Sequence, residues 1–195
     1  MALAHRLWVG SVLVSVAVLA PAGCGNSSNP GTTSTTTTTT GAAWSRPDTP
    51  PDPHTLLRAG GAALAAVPDS TLIFIESETD DAGTWKVRMA TADGTEQQVK
   101  VGSDGVTVLV GPTPKNDSAA DKAKRRANIQ AAQLDYRAAV DKALAAVPNG
   151  SITKLDLDDT NGTTVWQADV WDTYIVEHQV TINASSGEIT ANNQV

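Results

Sequence analysis

One cysteine, Cys24, occurs in the 195 residues. No intramolecular disulfide can form, and no cysteine-based metal site can be built. Aromatics are few, with one Phe, two Tyr and five Trp. A core must therefore come from Val, Ile, Leu and Ala, which a hydrophobic fraction of 41% can supply. Basic charge is scarce too: 14 Lys and Arg stand against 21 Asp and Glu, a formal net charge of −7. A nucleic-acid binder carries a basic stripe. The one basic run here, KAKRRA at 122–127, sits among Ala and Asp and reads as a solvated helix face. Nucleic acid is not an expected partner.

Catalytic signatures are also missing. The sequence has no HExxH, no GxSxG and no phosphate-cradling glycine loop. His54 lies in a Pro-rich segment, and His178 alternates with Val180, which fits a satisfied imidazole better than a base. DLDD at 156–159, with Asp169 and Asp172, contains strand-like alternation. A solvated strand face suits it better than a calcium loop, which gathers several oxygens on one tight turn. The expectation is no catalytic residue, no metal and no cofactor.

What is present at the N-terminus is an export signal over residues 1–23. His5 and Arg6 are followed by an apolar run at 7–20 and then small residues. The run is too short for a comfortable membrane span. Two readings of its end stay open. APA at 20–22 is a small-x-small cleavage site, which would give a secreted protein. VLAPAGCG at 18–25 resembles the lipobox of bacterial lipoproteins, with Ala22 and Gly23 before Cys24 but Pro21 where Leu is usual. The second reading is preferred, because the single cysteine falls where the lipid-modified residue should fall. A diacyl or triacyl group with palmitate-type chains on Cys24 would hold the chain on the extracytoplasmic side of the cell membrane, at about 0.8 kcal/mol per buried methylene. Residues 24–52 read as a disordered tether. Its Thr run at 32–40 has almost nothing apolar to bury, and serves as a bare or O-glycosylated spacer.

The rest of the chain repeats itself. ALAAVP occurs at 63–68 and at 143–148. With small slips in turns, Ile75 aligns with Leu155, Trp85 with Trp166, EQQVKV (96–101) with EHQVTI (177–182), and Gly105 with Gly187. Each copy reads as one helix stopped by proline, then period-two strands. The second helix is expected to start near Ser118, with Asp117 or Ser118 as N-cap, and to carry one apolar stripe from Ile129 to Val147; the first carries its apolar stripe on Leu57, Gly60/Gly61, Leu64 and Val67. Hairpins are expected at ADG (92–94) and at Asn161–Gly162. The fold class is α+β: two tandem units, each one helix on a three- or four-stranded antiparallel sheet. Unit 1 covers 53–112, a linker 113–117, and unit 2 118–195. A sixty-residue unit has a marginal core, so the two should touch.

These units resemble the PepSY domain family. Unit 2 carries the helix end ALAAVP, VWQADVW (165–171) and VTINASSGEI (180–189), with Asn183 where the family usually has Asp. Unit 1 carries WKVRMATADGTEQQVKV (85–101), and its closing GSDGV is eroded. The resemblance implies an extracytoplasmic binding module that partners or restrains a peptidase. A structural envelope lipoprotein with no specific partner is the alternative. Trp171 falls on the face opposite Trp166, near Tyr174, and marks a candidate contact between the units or with a partner.

Overall fold

The computed structural model describes residues 52–78, 81 and 83–195. The export signal, Cys24 and nearly all of the tether lie outside the described residues. The elements run α1 (Pro53–Ala66), β1 (Thr71–Glu78), β2 (Thr84–Ala90), β3 (Glu96–Val101), β4 (Val108–Pro114), α2 (Ala119–Ala131), α3 (Tyr136–Ala146), β5 (Ser151–Thr160), β6 (Thr163–Trp171), β7 (Glu177–Asn183) and β8 (Ile189–Gln194). Over the described residues the architecture is α+β, with three helices and one antiparallel sheet of eight strands, in the order β4-β3-β2-β1-β5-β6-β7-β8.

Two sheets were expected, one per unit. Instead β1 pairs with β5, and this ladder makes the sheet continuous. Ile75 faces Leu155 across it, flanked by Phe74 opposite Asp156 and Glu76 opposite Lys154. Both Ile75 and Leu155 are fully buried. The physical reason is plain: pairing these strands removes two edges and seals one core where two marginal ones would stand. β4 and β8 remain as the edges.

The helix ends behave as the repeat predicts. Val67 N–H donates to Ala63 at 3.1 Å, and Val147 N–H to Ala143 at 3.0 Å. After each proline comes a residue with left-handed φ, Asp69 at 60° and Asn149 at 59°. The β5–β6 turn places Asn161 and Gly162 at φ 54° and 79°, the two left-handed positions of a tight hairpin.

Three expectations need correction. First, the helix predicted from Ser118 to Val147 is two helices. Ser118 does cap α2, in a reciprocal capping box with Asp121. But the N–H groups of Gln133 and Leu134 leave the helix to donate to the Ala184 carbonyl at 2.8 and 2.9 Å, and Asp135 starts α3 by capping Ala138 N–H. Trp166 Nε1–H donates to the Leu134 carbonyl at 3.0 Å and fixes the joint. Second, the buried stripe of α1 is Leu56, Ala59, Gly60, Ala63 and Val67, with Leu57 and Leu64 at its margin. Third, β4 extends to Pro114, so part of the segment read as a linker is strand.

α1 packs on β1, β2 and β3, and α3 on β5, β6 and β7. Gly60 is where the two helices approach. A Cβ there would lie 2.8 Å from the Tyr136 ring. The small residue admits a bulky one from α3, which explains a glycine that otherwise costs a helix about 1 kcal/mol.

Candidate functional site

Strand alternation sends Ile75 and Leu155 into the core and their neighbours to the opposite face. There Arg88 of β2, Phe74 of β1 and Asp156 of β5 form a row across three adjacent strands. The Arg88 guanidinium stacks on the Phe74 ring, 3.6 Å from its centroid. α2 supplies the other wall. Between them is a groove of about 460 Å³, also lined by Ile73, Leu157, Asn128 and Asp158. It exists only because β1 and β5 pair.

α2 has no fully buried residue of its own; Ile129 packs against the core, and polar contacts supply the rest of its anchorage. Arg125 is the centre of these. One guanidinium nitrogen donates to Glu96 at 2.9 Å; the other donates to Asp117 at 2.9 Å and to the Gly94 carbonyl at 2.6 Å. Side-chain exposure is 5% for Glu96 and 3% for Asp117, so both carboxylates are buried, and Arg125 covers them at 13%. Lys115 adds a second cation at 3.6 Å from both carboxylates. Lys124 pairs with Asp158 at 3.3 Å, and Arg126 donates to the Asp93 carbonyl at 2.5 Å. The KAKRRA run, expected to be a solvated face, is so only in part: Ala123, Lys124 and Ala127 are exposed, while Lys122, Arg125 and Arg126 are partly buried and dock α2. The signal was missed because the partner groups are remote in sequence. The solvated strand face expected for the DLDD run also needs correction, since Asp156 is half-buried in the groove.

Two groups in the groove stand out among the described residues. The Nε–H of Arg88 is buried and has no hydrogen-bond partner. The Asp156 carboxylate accepts no hydrogen bond and has no cation within 4 Å; Arg88 and Lys154 act on it only from farther away. Burial pushes its pKa up, and those two distant cations only partly offset this. Burial also raises Glu177. Other carboxylates go down. Burial would raise Asp117, but the Arg125 hydrogen bond and charge overcome it. Asp104 falls to about 2 through hydrogen bonds from Thr107 and Val106, and Asp93 lower still through Thr91 and Thr95.

A pH dependence follows. A group whose folded pKa is raised binds protons more tightly when folded, so it adds stability as pH falls toward its unfolded value. A depressed group loses its contribution as pH falls below that value. Stability should therefore rise on acidification from neutrality, peak between about pH 4 and 5, and fall steeply below about pH 4. Urea midpoints measured from pH 7 to pH 2 check this, and Asp156→Asn should flatten the rising limb.

Of the residues singled out from sequence, Cys24 lies outside the described residues. Trp171 ends β6, partly exposed, opposite Ser151 and Glu177. Tyr174, 85% exposed, sits in the β6–β7 turn. That turn is held by Asp172, whose carboxylate accepts from Tyr174 N–H at 2.8 Å and Val176 N–H at 2.9 Å. Neither aromatic lines the groove. Trp85 and Trp166 are core residues, each 1% exposed. His178 is partnered at both nitrogens, by Asp172 at 3.3 Å and Asn192 at 3.1 Å. Among the described residues, no three His, Cys, Asp or Glu side chains gather to hold a metal, and no helix is long and apolar enough to cross a membrane.

Residues 133–192 match the PepSY family model, described as "Peptidase propeptide and YPEB domain". No curated protein matches the chain. A solved structure of a "putative lipoprotein" from Clostridium difficile 630 is 15% identical, with a TM-score of 0.44; the alignment covers 77% of this chain and 97% of that one. The matched family segment begins at the α2–α3 joint and takes in α3 and β5 to β7 with most of β8. Residues 133–192 are thus a PepSY domain.

Proposed function

We propose that the chain is a non-enzymatic extracytoplasmic lipoprotein, anchored through Cys24, that binds a protein or peptide and restrains a peptidase. The observation that carries the binding reading is the groove: a polar recognition surface where the partly exposed Arg88 guanidinium stands beside an unmatched acceptor at Asp156. Such convergent, unsatisfied polar groups favour recognition of a partner that completes them. The family description, which names peptidase propeptides, supports the choice of partner.

The proposal includes a duplicated origin, with PepSY-like units at 53–112 and 118–195. Support comes from strand-for-strand detail. β1 carries its register shift between Leu72 and Phe74, and β5 between Ile152 and Lys154. Gly105 and Gly187 share left-handed φ of 72° and 75°. Among the described residues α2 has no counterpart in the first unit, and the groove takes its lining from both units.

Two measurements test the reading. Capture from envelope extract should enrich a peptidase whose casein-degrading activity falls severalfold when the chain is added, and Arg88→Ala should lose most of that effect. An extract whose peptidase activity is unchanged would remove the restraint reading. For the anchor, a palmitate analogue should label the wild type, and Cys24→Ser should be unlabelled and released to the medium. An unlabelled wild type would mean simple secretion.

A further inference from the structure

The outer face of the sheet contains its own comparison. In the β1–β2 ladder Glu76 lies opposite Lys86, and the pair is closed at 3.3 Å. The corresponding position in the β5–β6 ladder, one residue past the buried Leu155, sets Asp156 opposite Gln167. Gln167 is neutral, and its amide donates instead to Thr160 Oγ1 at 3.3 Å. Across the same ladders, Phe74 with Arg88 forms a stacked pair, and Lys154 with Asp169 an ion pair at 3.8 Å. Of these four cross-strand pairs, only the Asp156 pair lacks its cation.

The groove carboxylates show the same contrast. Glu96 and Asp117 share Arg125 and Lys115, Asp158 has Lys124, and Asp121 has Ser118. Asp156 has none of these, and it lies where a ligand can reach it.

We propose that Asp156 receives the cationic side chain, lysine or arginine, of a bound peptide, while the exposed part of the Arg88 guanidinium, whose side chain is 28% exposed, donates to a carbonyl of that peptide. This rests on the binding reading above. β2 and β5 are two strand spacings apart, about 10 Å, which the carbonyl of a lysine and its extended side chain bridge. A divalent metal does not fit, because a single carboxylate beside a guanidinium offers too few oxygens. A quaternary ammonium does not fit either, because Arg88 already occupies the face of Phe74.

The test titrates three capped tripeptides, Ala-Lys-Ala, Ala-norleucine-Ala and Ala-Glu-Ala, into the ¹⁵N-labelled full chain. The lysine peptide should shift the amides of Phe74, Arg88 and Asp156 saturably, and bind about fivefold or more tighter than the norleucine peptide. Asp156→Asn should abolish that difference. Gln167→Lys supplies the cation from the chain itself, keeps the fold, and should block the lysine peptide. Equal binding of lysine and norleucine peptides, preference for glutamate, no saturable shift at these amides, or unchanged binding in Gln167→Lys would each overturn the proposal. If Gln167→Lys still captures and restrains the peptidase, the binding function stands and the lysine assignment alone falls.

Discussion

Leu155→Ala is expected to cost about 2–5 kcal/mol and to destabilise the N-terminal and C-terminal strands together. Leu155 is fully buried at the β1–β5 ladder, opposite the equally buried Ile75. Truncation leaves a cavity lined from both sides of the ladder. Two units with separate sheets would respond differently: the C-terminal one would melt early and the N-terminal one would keep its own transition. With one sheet and one core, the variant should show a single transition shifted to lower denaturant. Fluorescence checks this well, because Trp85 lies in β2 and Trp166 in β6. Variants retaining one or the other should report the same midpoint. Ile75→Ala should behave alike, since its environment is the mirror of that of Leu155.

The second large effect belongs to Arg125. Removing one partner of a buried ion pair leaves an uncompensated charge and costs about 3–5 kcal/mol. Arg125→Ala exposes two carboxylates to this fate, Glu96 and Asp117. Lys115 stays within 3.6 Å of both, and Arg88 within 3.9 Å of Glu96, so the expected loss is at the lower end, about 3 kcal/mol. Arg125→Lys keeps the charge but not the fork, and should recover about half of it. α2 has no fully buried residue of its own, so the same variant should free it from the sheet. Amides of α2 should then exchange faster while those of β1 and β5 keep their protection. The wild-type helix should also loosen at high salt more than α1 does, because α1 is held by apolar packing.

The parts of this structure that repeat were legible in the sequence, because periodicity is a local property. ALAAVP announces two helix ends, and both end at the valine before the proline. Asn161–Gly162 announces its hairpin. Trp85 and Trp166 announce matching core positions. What stayed hidden depends on contacts between distant segments. Nothing near Leu155 says that it will face Ile75 in place of solvent or a second sheet. The α2–α3 break is invisible in a helical run whose interruption is set by the Ala184 carbonyl, fifty residues on. The groove is the extreme case: Phe74, Arg88, Asp117, Arg125 and Asp156 come from five elements or loops, and only the sheet order brings them together. One signal was available. Phe74 is the sole phenylalanine, and it falls out of phase with Ile75, on the polar side of its strand.

The central claim is that β1 and β5 pair into one sheet, since the groove floor and the row Arg88–Phe74–Asp156 exist only through that ladder. Native-state hydrogen exchange at the amides of residues 74–76 and 154–156 tests it most directly. Amides bonded across the ladder should be among the slowest to exchange, opening only with global unfolding. Exchange of all these amides at rates typical of exposed strand edges, such as β4 and β8, would mean that the two sets of strands do not join and that no groove lies between them.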